Sequence, residues 1–439
     1  MNNVAISETL EKRGSTEWFV QERFGMFIHW GLYAMPARHE WVKKRELIPE
    51  DKYNIYFKHF DPDMFDPQQW AKIAAEAGMK YVVITTKHHE GFCLWDSQLT
   101  DYKATNTPAG KDLLREIIDA FRLEGIRIGL YHSLIDWNHP DFRIDDLHPL
   151  KGLQSNDRRV QEKYTDYLHG QVRELLTMYG KIDILWFDYS YPAGRRYFDD
   201  DYDGKGKNDW RSEALLELVR ELAPEIILND RLDLDGGWDV KTPEQITPEN
   251  GVIIDGKPVV WEACQTLSGS WGYHRDESSW RDADDLLRSL ITCVSGDGNL
   301  LLNVGPTSRG YIDERAIDRL KGMSKWMKYH ERSIRGCTRA PDNFIPPKHC
   351  AYTWNPANKR LYLHIFAWPH GKLFLNGLEE RFEYAQFLYD GSEVINVKLQ
   401  PKVKDYLEKQ SFYPKNALCL ALPLSRPPVI IPVIEIFLK

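Results

Sequence analysis

Asp188 closes an almost unbroken apolar and aromatic run, DILWFDYSYP (183–192), after which the pattern dissolves. A carboxylate at the end of a buried strand carries a desolvation cost unless something charges, hydrogen-bonds or uses it. Two readings fit. Asp188 is the ion-pair partner of an arginine such as Arg231, or it is a nucleophile. Other apolar runs stop in the same manner. FGMFIHWG (24–31) runs into His29-Trp30, YVVITTKHH (81–89) into His88-His89-Glu90, and IRIGLYHSL (126–134) contains Tyr131-His132-Ser133. EIILNDR (225–231) ends in Asn229-Asp230-Arg231, and VVWEAC (259–264) carries Glu262. One polar residue at a strand end is punctuation, whereas a series of them forms the wall of a site. Imidazoles, carboxyls and a phenol there are the groups of proton transfer and hydroxyl recognition.

Each member also has a plainer reading. His29 alone fits a satisfied core histidine, Glu40 a surface charge, and Trp41 and Trp271 packing. Adjacent strand residues point to opposite faces, so only one of His88 and His89 faces a common centre unless the strand breaks there. A metal reading gathers His29, His88, His89, His132 and Asp188 as ligands. The first strand offers H-W-G where a metal-dependent barrel would present H-x-H, so no metal is expected, and no organic cofactor either.

The elements that must position these residues alternate. From about 24 to 335, strand-length apolar runs are interleaved with helical patterns such as DPQQWAKIAAEAG (66–78) and KDLLREIIDAFRLEG (111–125), each ending on glycine. Repeated βα units predict a parallel sheet, and their number favours a TIM-like (β/α) barrel, in which functional groups sit on the C-terminal rim. No G-x-G-x-x-G follows the first strand, which speaks against a dinucleotide-binding sheet. Near residue 340 the pattern changes to short alternating runs (CAYTWNP, RLYLHIFAWP, KLFLNGL, EYAQFLYDG, VINVKLQ, ALCLALPL), the signature of an antiparallel β-sandwich. The expected division is a catalytic barrel over 1–340 and a β-sandwich over 341–439, with PDNFIPP (341–347) as linker.

Composition narrows the partners. The chain has 439 residues, 42% apolar and 28% charged, with a net charge of −8 that argues against nucleic acid. Aromatics reach 13%, a load that suits stacking on sugar rings as well as core filling. The start, MNNVAISETLEKRGSTEW, lacks an apolar core, so no signal peptide is visible and a cytoplasmic location is expected. No run is long enough for a membrane helix. The 6 cysteines are scattered without a CxxC pair and read as free thiols. A homo-oligomer is expected only from its frequency among soluble enzymes.

The stretches FGMFIHWGLYAMPARHEW, YVVITTKHHEGFCLWDS, GLYHSLIDW, ILWFDYSYP, LNDR, KTPEQ, SGSWGY and SGDGNLLLNVGP occur in that order. Together they resemble glycoside hydrolase family 29, the retaining α-L-fucosidases, over about 15–335 for the barrel and in the trailing β-domain. The resemblance implies a fucosylated oligosaccharide or glycoside as substrate. It makes Asp188 the nucleophile, His29, Glu40, Trp41, His88 and His89 the holders of the sugar hydroxyls, and Arg231 the arginine beside the nucleophile. Phe27 and Trp271 match the aromatic positions around the sugar's C6 methyl. In GLYHSLIDW the family more often has a second tyrosine where this chain has His132, which leaves both Tyr131 and His132 as candidate contacts. Glu244 in KTPEQ matches the acid/base, and Glu262 is the alternative. The residue types suit the chemistry, since retaining glycosidases use two carboxyl groups about 5–5.5 Å apart.

Overall fold

The computed structural model describes residues 13–194, 201–410 and 413–439. The first residues of the polar start, and residues 195–200 and 411–412, lie outside them. Parallel strands form where β-branched and aromatic runs occur: β1 (Phe24–Ile28), β2 (Tyr81–Lys87), β3 (Arg127–Ser133), β4 (Ile184–Asp188), β5 (Ile227–Leu228), β6 (Glu262–Thr266) and β7 (Asn299–Val304). They pair in the order β5-β4-β3-β2-β1-β7-β6. Almost every strand residue is buried, as expected when both faces of a parallel sheet are covered.

The two faces bury different sets. Phe27, Tyr81, Val83, Tyr131, Ile184, Trp186, Ile227, Cys264 and Leu301 form one closed cluster, the barrel lumen. Their neighbours of opposite parity, among them Met26, Ile28, Val82, Ile84, Leu130, Leu185 and Phe187, belong to the larger cluster against the helices. The flanking helices α1 (Pro67–Glu76), α2 (Leu113–Leu123), α3 (Gln161–Met178), α4 (Ser212–Leu222), α5 (Ala283–Ser295) and α6 (Glu314–His330) make the outer ring. Local chemistry sets their starts. The Asp66 side chain accepts from the Gln69 amide with Pro67 in the first turn, and Asp112 caps α2 through the Arg115 amide.

The eighth place in the ring is filled irregularly. Residues 239–245 run between β5 and β6: the Val240 amide donates to Leu228 O at 3.1 Å, Glu262 N to Lys241 O at 2.8 Å, and Cys264 N to Pro243 O at 3.1 Å. Pro243 has no N–H for a regular ladder, so the segment joins its neighbours through isolated bridges, Asn229–Val240, Lys241–Trp261 and Glu244–Cys264. The KTPEQ segment is therefore the piece that closes the barrel, with Glu244 near its end.

From Thr338 onward the strands are antiparallel, just ahead of the expected change at 340. Thr338–Arg339, Cys350–Asn355, Arg360–Ile365, Val433–Leu438 and Phe382–Phe387 form a five-stranded sheet in that order, and Lys372–Leu375 pairs with Leu418–Ala421. Both sheets contribute to one core, with Leu361, Leu363, Ile434 and Ile436 from the first and Leu373, Leu375, Leu418 and Leu420 from the second. Phe344, inside the expected linker, is buried in that core. VINVKLQ departs from expectation, since it meets the small sheet only at an isolated bridge between Asn396 and Leu420. The other face of the five-stranded sheet rests on the barrel, where Trp326 of α6 donates its indole N–H to Ile431 O at 2.8 Å.

Candidate functional site

The lumen cluster opens at the C-terminal ends of the strands, and Asp188 is the last residue of β4. It shares inward parity with Trp186 and Ile184. Its Oδ1 accepts from Arg231 Nη1 at 2.8 Å and its Oδ2 from the Tyr131 hydroxyl at 2.8 Å. The following residue, Tyr189, takes φ 72°, a left-handed conformation that aromatic residues rarely adopt. That turn sets the Tyr189 ring 4.9 Å from the His89 ring and 5.1 Å from Trp41.

Arg231 joins two carboxylates. While Nη1 meets Asp188, Nη2 lies 2.9 Å from Glu244 Oε2. Its guanidinium stacks over Trp186 at 4.5 Å from the ring, and Nε donates to the Thr242 hydroxyl at 3.2 Å. One guanidinium is comparable in size to the gap of about 5–5.5 Å left between carboxyls in retaining glycosidases. The two acids differ in setting. The Asp188 side chain is 12% exposed and that of Glu244 is 44% exposed. Burial pushes the Asp188 carboxyl up to about 6, with the Glu244 charge adding to the rise and Arg231 and Tyr131 opposing it.

The histidines are buried and neutral. Burial lowers His29 to about 3 and holds His88 and His89 well below the ordinary imidazole value. Hydrogen bonding assigns two tautomers. Asn303 gives its amide N–H to Trp271 O at 2.7 Å, so its Oδ1 accepts from His29 Nδ1 at 2.6 Å, leaving His29 Nε2 as an acceptor. Ser133 donates to Ile135 O at 2.9 Å, so it accepts from His89 Nδ1 at 2.6 Å. His89 Nε2 is then an acceptor 3.9 Å from Asp188 Oδ2, too far for a hydrogen bond. His88 Nδ1 is buried with no hydrogen-bond partner among the described residues. A buried orphan of this kind calls for an explanation, and a ligand hydroxyl supplies one.

The parity conflict between His88 and His89 resolves in the backbone. The register of β2 on β3 shifts between Thr85 and Lys87, and the chain then leaves the strand in a turn, with Gly91 N donating to His88 O at 3.0 Å. The alternation no longer applies beyond Lys87. The two rings lie side by side, centroids 4.0 Å apart.

Aromatic faces complete the enclosure. Phe27 lies 4.5 Å from His29 and 5.8 Å from Trp271, and Trp271 lies 5.1 Å from His29. Trp41 packs on His89 at 4.9 Å and on Trp137 at 5.2 Å. Glu40 is buried, and its Oε2 accepts from the Trp271 and Gly272 amides at 3.1 and 3.0 Å, so it anchors the Trp271 loop. Burial lifts its carboxyl to about 7.

Two sequence candidates lie elsewhere. Tyr131 faces the lumen and bonds Asp188, so His132, the next residue on a regular strand, must face outward. Its Nδ1 sits 3.0 Å from the Thr86 hydroxyl, and its ring packs 5.9 Å from Trp95. His132 is therefore not among the residues brought together around Asp188. Glu262 opens β6 at the opposite end of the barrel, where its carboxyl bonds the hydroxyl of Tyr81, the first residue of β2. Cys264, two residues further along the same strand, is the residue that meets Arg231, its Sγ 4.0 Å from Nη2. Glu262 is a carboxyl of the lumen floor.

Trp186, Tyr189, Trp137 and Asn303 join the site without having been assigned a role in it from the sequence, whereas Ser133 is read there as one of the polar residues at a strand end. Asn303 was within reach, as a polar residue near the end of the apolar run NLLLNV. The others depend on which face or turn presents them. Among the described residues, no three His, Cys, Asp or Glu side chains come together as a metal site would require.

Carboxyls held around one cation, amid uncharged imidazoles and aromatic faces, suit a sugar ring better than a charged substrate and point to the barrel glycoside hydrolases. Comparison with known proteins narrows that class. The family model described as Alpha-L-fucosidase matches residues 3–332. Plasma α-L-fucosidase of Homo sapiens is 31% identical over 401 residues, 84% of this chain and 80% of the relative. The solved α-L-fucosidase isoenzyme 1 from Paenibacillus thiaminolyticus is 42% identical with a TM-score of 0.88, covering 98% of this chain and 100% of that one. A GH29 α-L-fucosidase from Bacteroides thetaiotaomicron, solved as a trapped covalent intermediate with 2-fluoro-fucosyl fluoride, is 28% identical with a TM-score of 0.81, covering 98% of each chain. The chain belongs to the α-L-fucosidase family of glycoside hydrolases.

Proposed function

We propose that the site removes terminal α-linked L-fucose from fucosylated oligosaccharides or glycosides by double displacement, with Asp188 as nucleophile and Glu244 as general acid/base. The observation that carries this reading is the Arg231 guanidinium lying against both carboxylates, 2.8 Å from one and 2.9 Å from the other. In the first step an Asp188 oxygen attacks the anomeric carbon as the glycosidic C–O bond breaks, and Glu244 gives its proton to the departing oxygen. In the second, Glu244 takes a proton from water, the water oxygen attacks the same carbon, and Asp188 leaves. Two inversions give net retention.

The supporting groups have matching roles. Arg231 and Tyr131 each hold one Asp188 oxygen, which aims the carboxylate and stabilises it as it departs. The neutral His29, His88 and His89 offer acceptors and an orphan ring nitrogen to sugar hydroxyls, bonds that strengthen as the ring flattens toward an oxocarbenium ion. Trp41 and Glu40 complete the hydroxyl side. Phe27 and Trp271 enclose the C6 methyl. A substrate panel tests the assignment: 4-nitrophenyl α-L-fucoside should be hydrolysed far faster than the α-L-galactoside, which adds only a C6 hydroxyl, and than the α-L-rhamnoside, which keeps the methyl and changes the ring hydroxyls. Equal rates on all three would remove the fucose reading.

A further inference from the structure

Lys87, the last residue of β2, is fully buried, and no step of the proposed reaction uses it. Its place follows from the register slip. Thr85 pairs with Tyr131, which faces the lumen, and by alternation Lys87 would face it as well. One extra residue intervenes on β2, so Lys87 pairs instead with His132, which faces outward. Thr86 and Lys87 therefore both point into the helix layer. The Thr86 hydroxyl meets His132 Nδ1 at 3.0 Å, and Lys87 Nζ donates to Gln171 Oε1 of α3 at 2.9 Å. The Tyr164 and Tyr167 rings of the same helix lie 5.6 and 5.3 Å from the ammonium.

One carboxylate meets that charge. Asp136 Oδ2 lies 3.3 Å from Lys87 Nζ, and both side chains are at most 2% exposed. The other Asp136 oxygen accepts from the Asn138 and His139 amides at 3.0 and 2.9 Å, which sets the turn after β3. That turn carries Trp137, whose amide donates to His89 O at 2.8 Å and whose ring packs 5.6 Å from the His89 ring. Gly91, at φ 87°, approaches so closely that a Cβ there would collide with Asp136 Oδ1. The ion pair thus stands directly behind the turn that presents the histidines. Replacing a buried ion pair by apolar residues of similar volume is often neutral or stabilising, so stability alone does not account for this one.

Resting on the assignment of His89 to a sugar hydroxyl above, we propose that Lys87 is a positioning residue of the active site. Paired with Asp136 behind the wall, it holds β2 in its slipped register and so aims the His89 ring at the sugar. Lys87 itself never touches substrate. The pair fixes the backbone on both sides of the ring, through β2 before it and through the Trp137 turn against it. Its charge also weighs on the imidazole: after burial and His29, Lys87 is a further group holding His89 below the ordinary value. Backbone and charge together keep His89 a neutral acceptor in one orientation.

The test separates positioning from stability. Lys87→Met keeps the length and removes the charge, while Asp136→Asn keeps an acceptor for the Asn138 and His139 amides. The double variant leaves no unpaired buried charge and should melt near the wild type. On 4-nitrophenyl α-L-fucoside its kcat should fall about tenfold or more with KM within about threefold, because the His89 bond strengthens in the transition state. Introduced beside His89→Ala, the same two substitutions should add no more than about a threefold loss, since the group they act through is gone. A folded double variant with wild-type kcat overturns the proposal, as does a loss that simply multiplies that of His89→Ala. If neither the double variant nor Asp136→Asn alone folds, the pair belongs to stability and the proposal falls as well. Wild-type rates in His89→Ala would instead strike the reading of the sugar site on which it rests.

Discussion

The barrel buries two acidic side chains at its opposite ends, Asp188 at the rim and Glu262 at the floor, and both have carboxyls lifted by burial, to about 6 and about 8. Burial alone therefore does not distinguish a working carboxylate from a structural one. The difference lies in the company each keeps. Asp188 sits against an arginine that also meets a half-exposed second carboxylate, with the buried His89 imidazole 3.9 Å away. Glu262 bonds Tyr81 in a sealed setting, 1% exposed, and among the described residues no cation pairs with it. A carboxyl in that position stays protonated at neutral pH and serves as a neutral hydrogen-bonding group.

The contrast breaks most sharply at the rim. Asp188→Gly should lower turnover by roughly 10⁵-fold or more even on activated substrates, since no other group forms the glycosyl-enzyme. Added azide should then attack directly and give the β-fucosyl azide; an α product would remove Asp188 as nucleophile. In the wild type, the raised Asp188 carboxyl predicts an acid limb in kcat/KM near pH 6, with activity lost as pH falls through that value and the nucleophile takes a proton. Glu244→Ala should lose about 10²–10⁴-fold on poor leaving groups and much less on activated ones, and azide should restore turnover with the α configuration. Transfer of that behaviour to a Glu262→Ala variant would reverse the roles assigned to rim and floor.

Smaller effects sharpen the picture. Trp271→Ala removes an apolar contact to the C6 methyl, worth about 1–3 kcal/mol, and should raise KM for fucosides roughly 10–200-fold while relaxing rejection of the α-L-galactoside. Unaltered selectivity would place the methyl elsewhere. The smallest change is expected at the floor. Glu262→Gln mimics the protonated acid, so kcat/KM should stay within about threefold and the fold should persist. The sign of its pH effect is set by the raised folded value. Between the unfolded carboxyl value and about 8 the native state binds the extra proton, so this group's contribution to stability falls as pH rises through that window. The Gln variant should flatten the decline of melting temperature from pH 5 to 8; a curve parallel to wild type would mean that Glu262 is ionised in the fold.

Much of this was legible in the sequence because strands and helices announce themselves locally. Continuous β-branched runs ending in polar residues marked β1 to β4 and their rim, and Asp66 with Pro67 and Gly78 bracketed α1. The proposed nucleophile stood out for the same reason: Asp188 ends its strand in phase with Trp186, and phase along a strand is a local property. Ordered motifs carried the family.

The remaining choices belonged to tertiary structure. Tyr131 and His132 are equivalent polar residues in sequence, and only the ring of strands decides which parity faces the lumen. His88 and His89 come together because the β2–β3 register slips at Lys87, an event set by pairing with another strand. Glu244 and Glu262 each lie close in sequence to barrel strands. The closing segment around Pro243 carries one to the rim, while β6 begins with the other at the floor. Sequence determines where each strand runs and which residues alternate along it. Which end of the barrel those residues reach, and what charge meets them there, depends on partners distant in the chain, because parity, register and burial are properties of the closed ring.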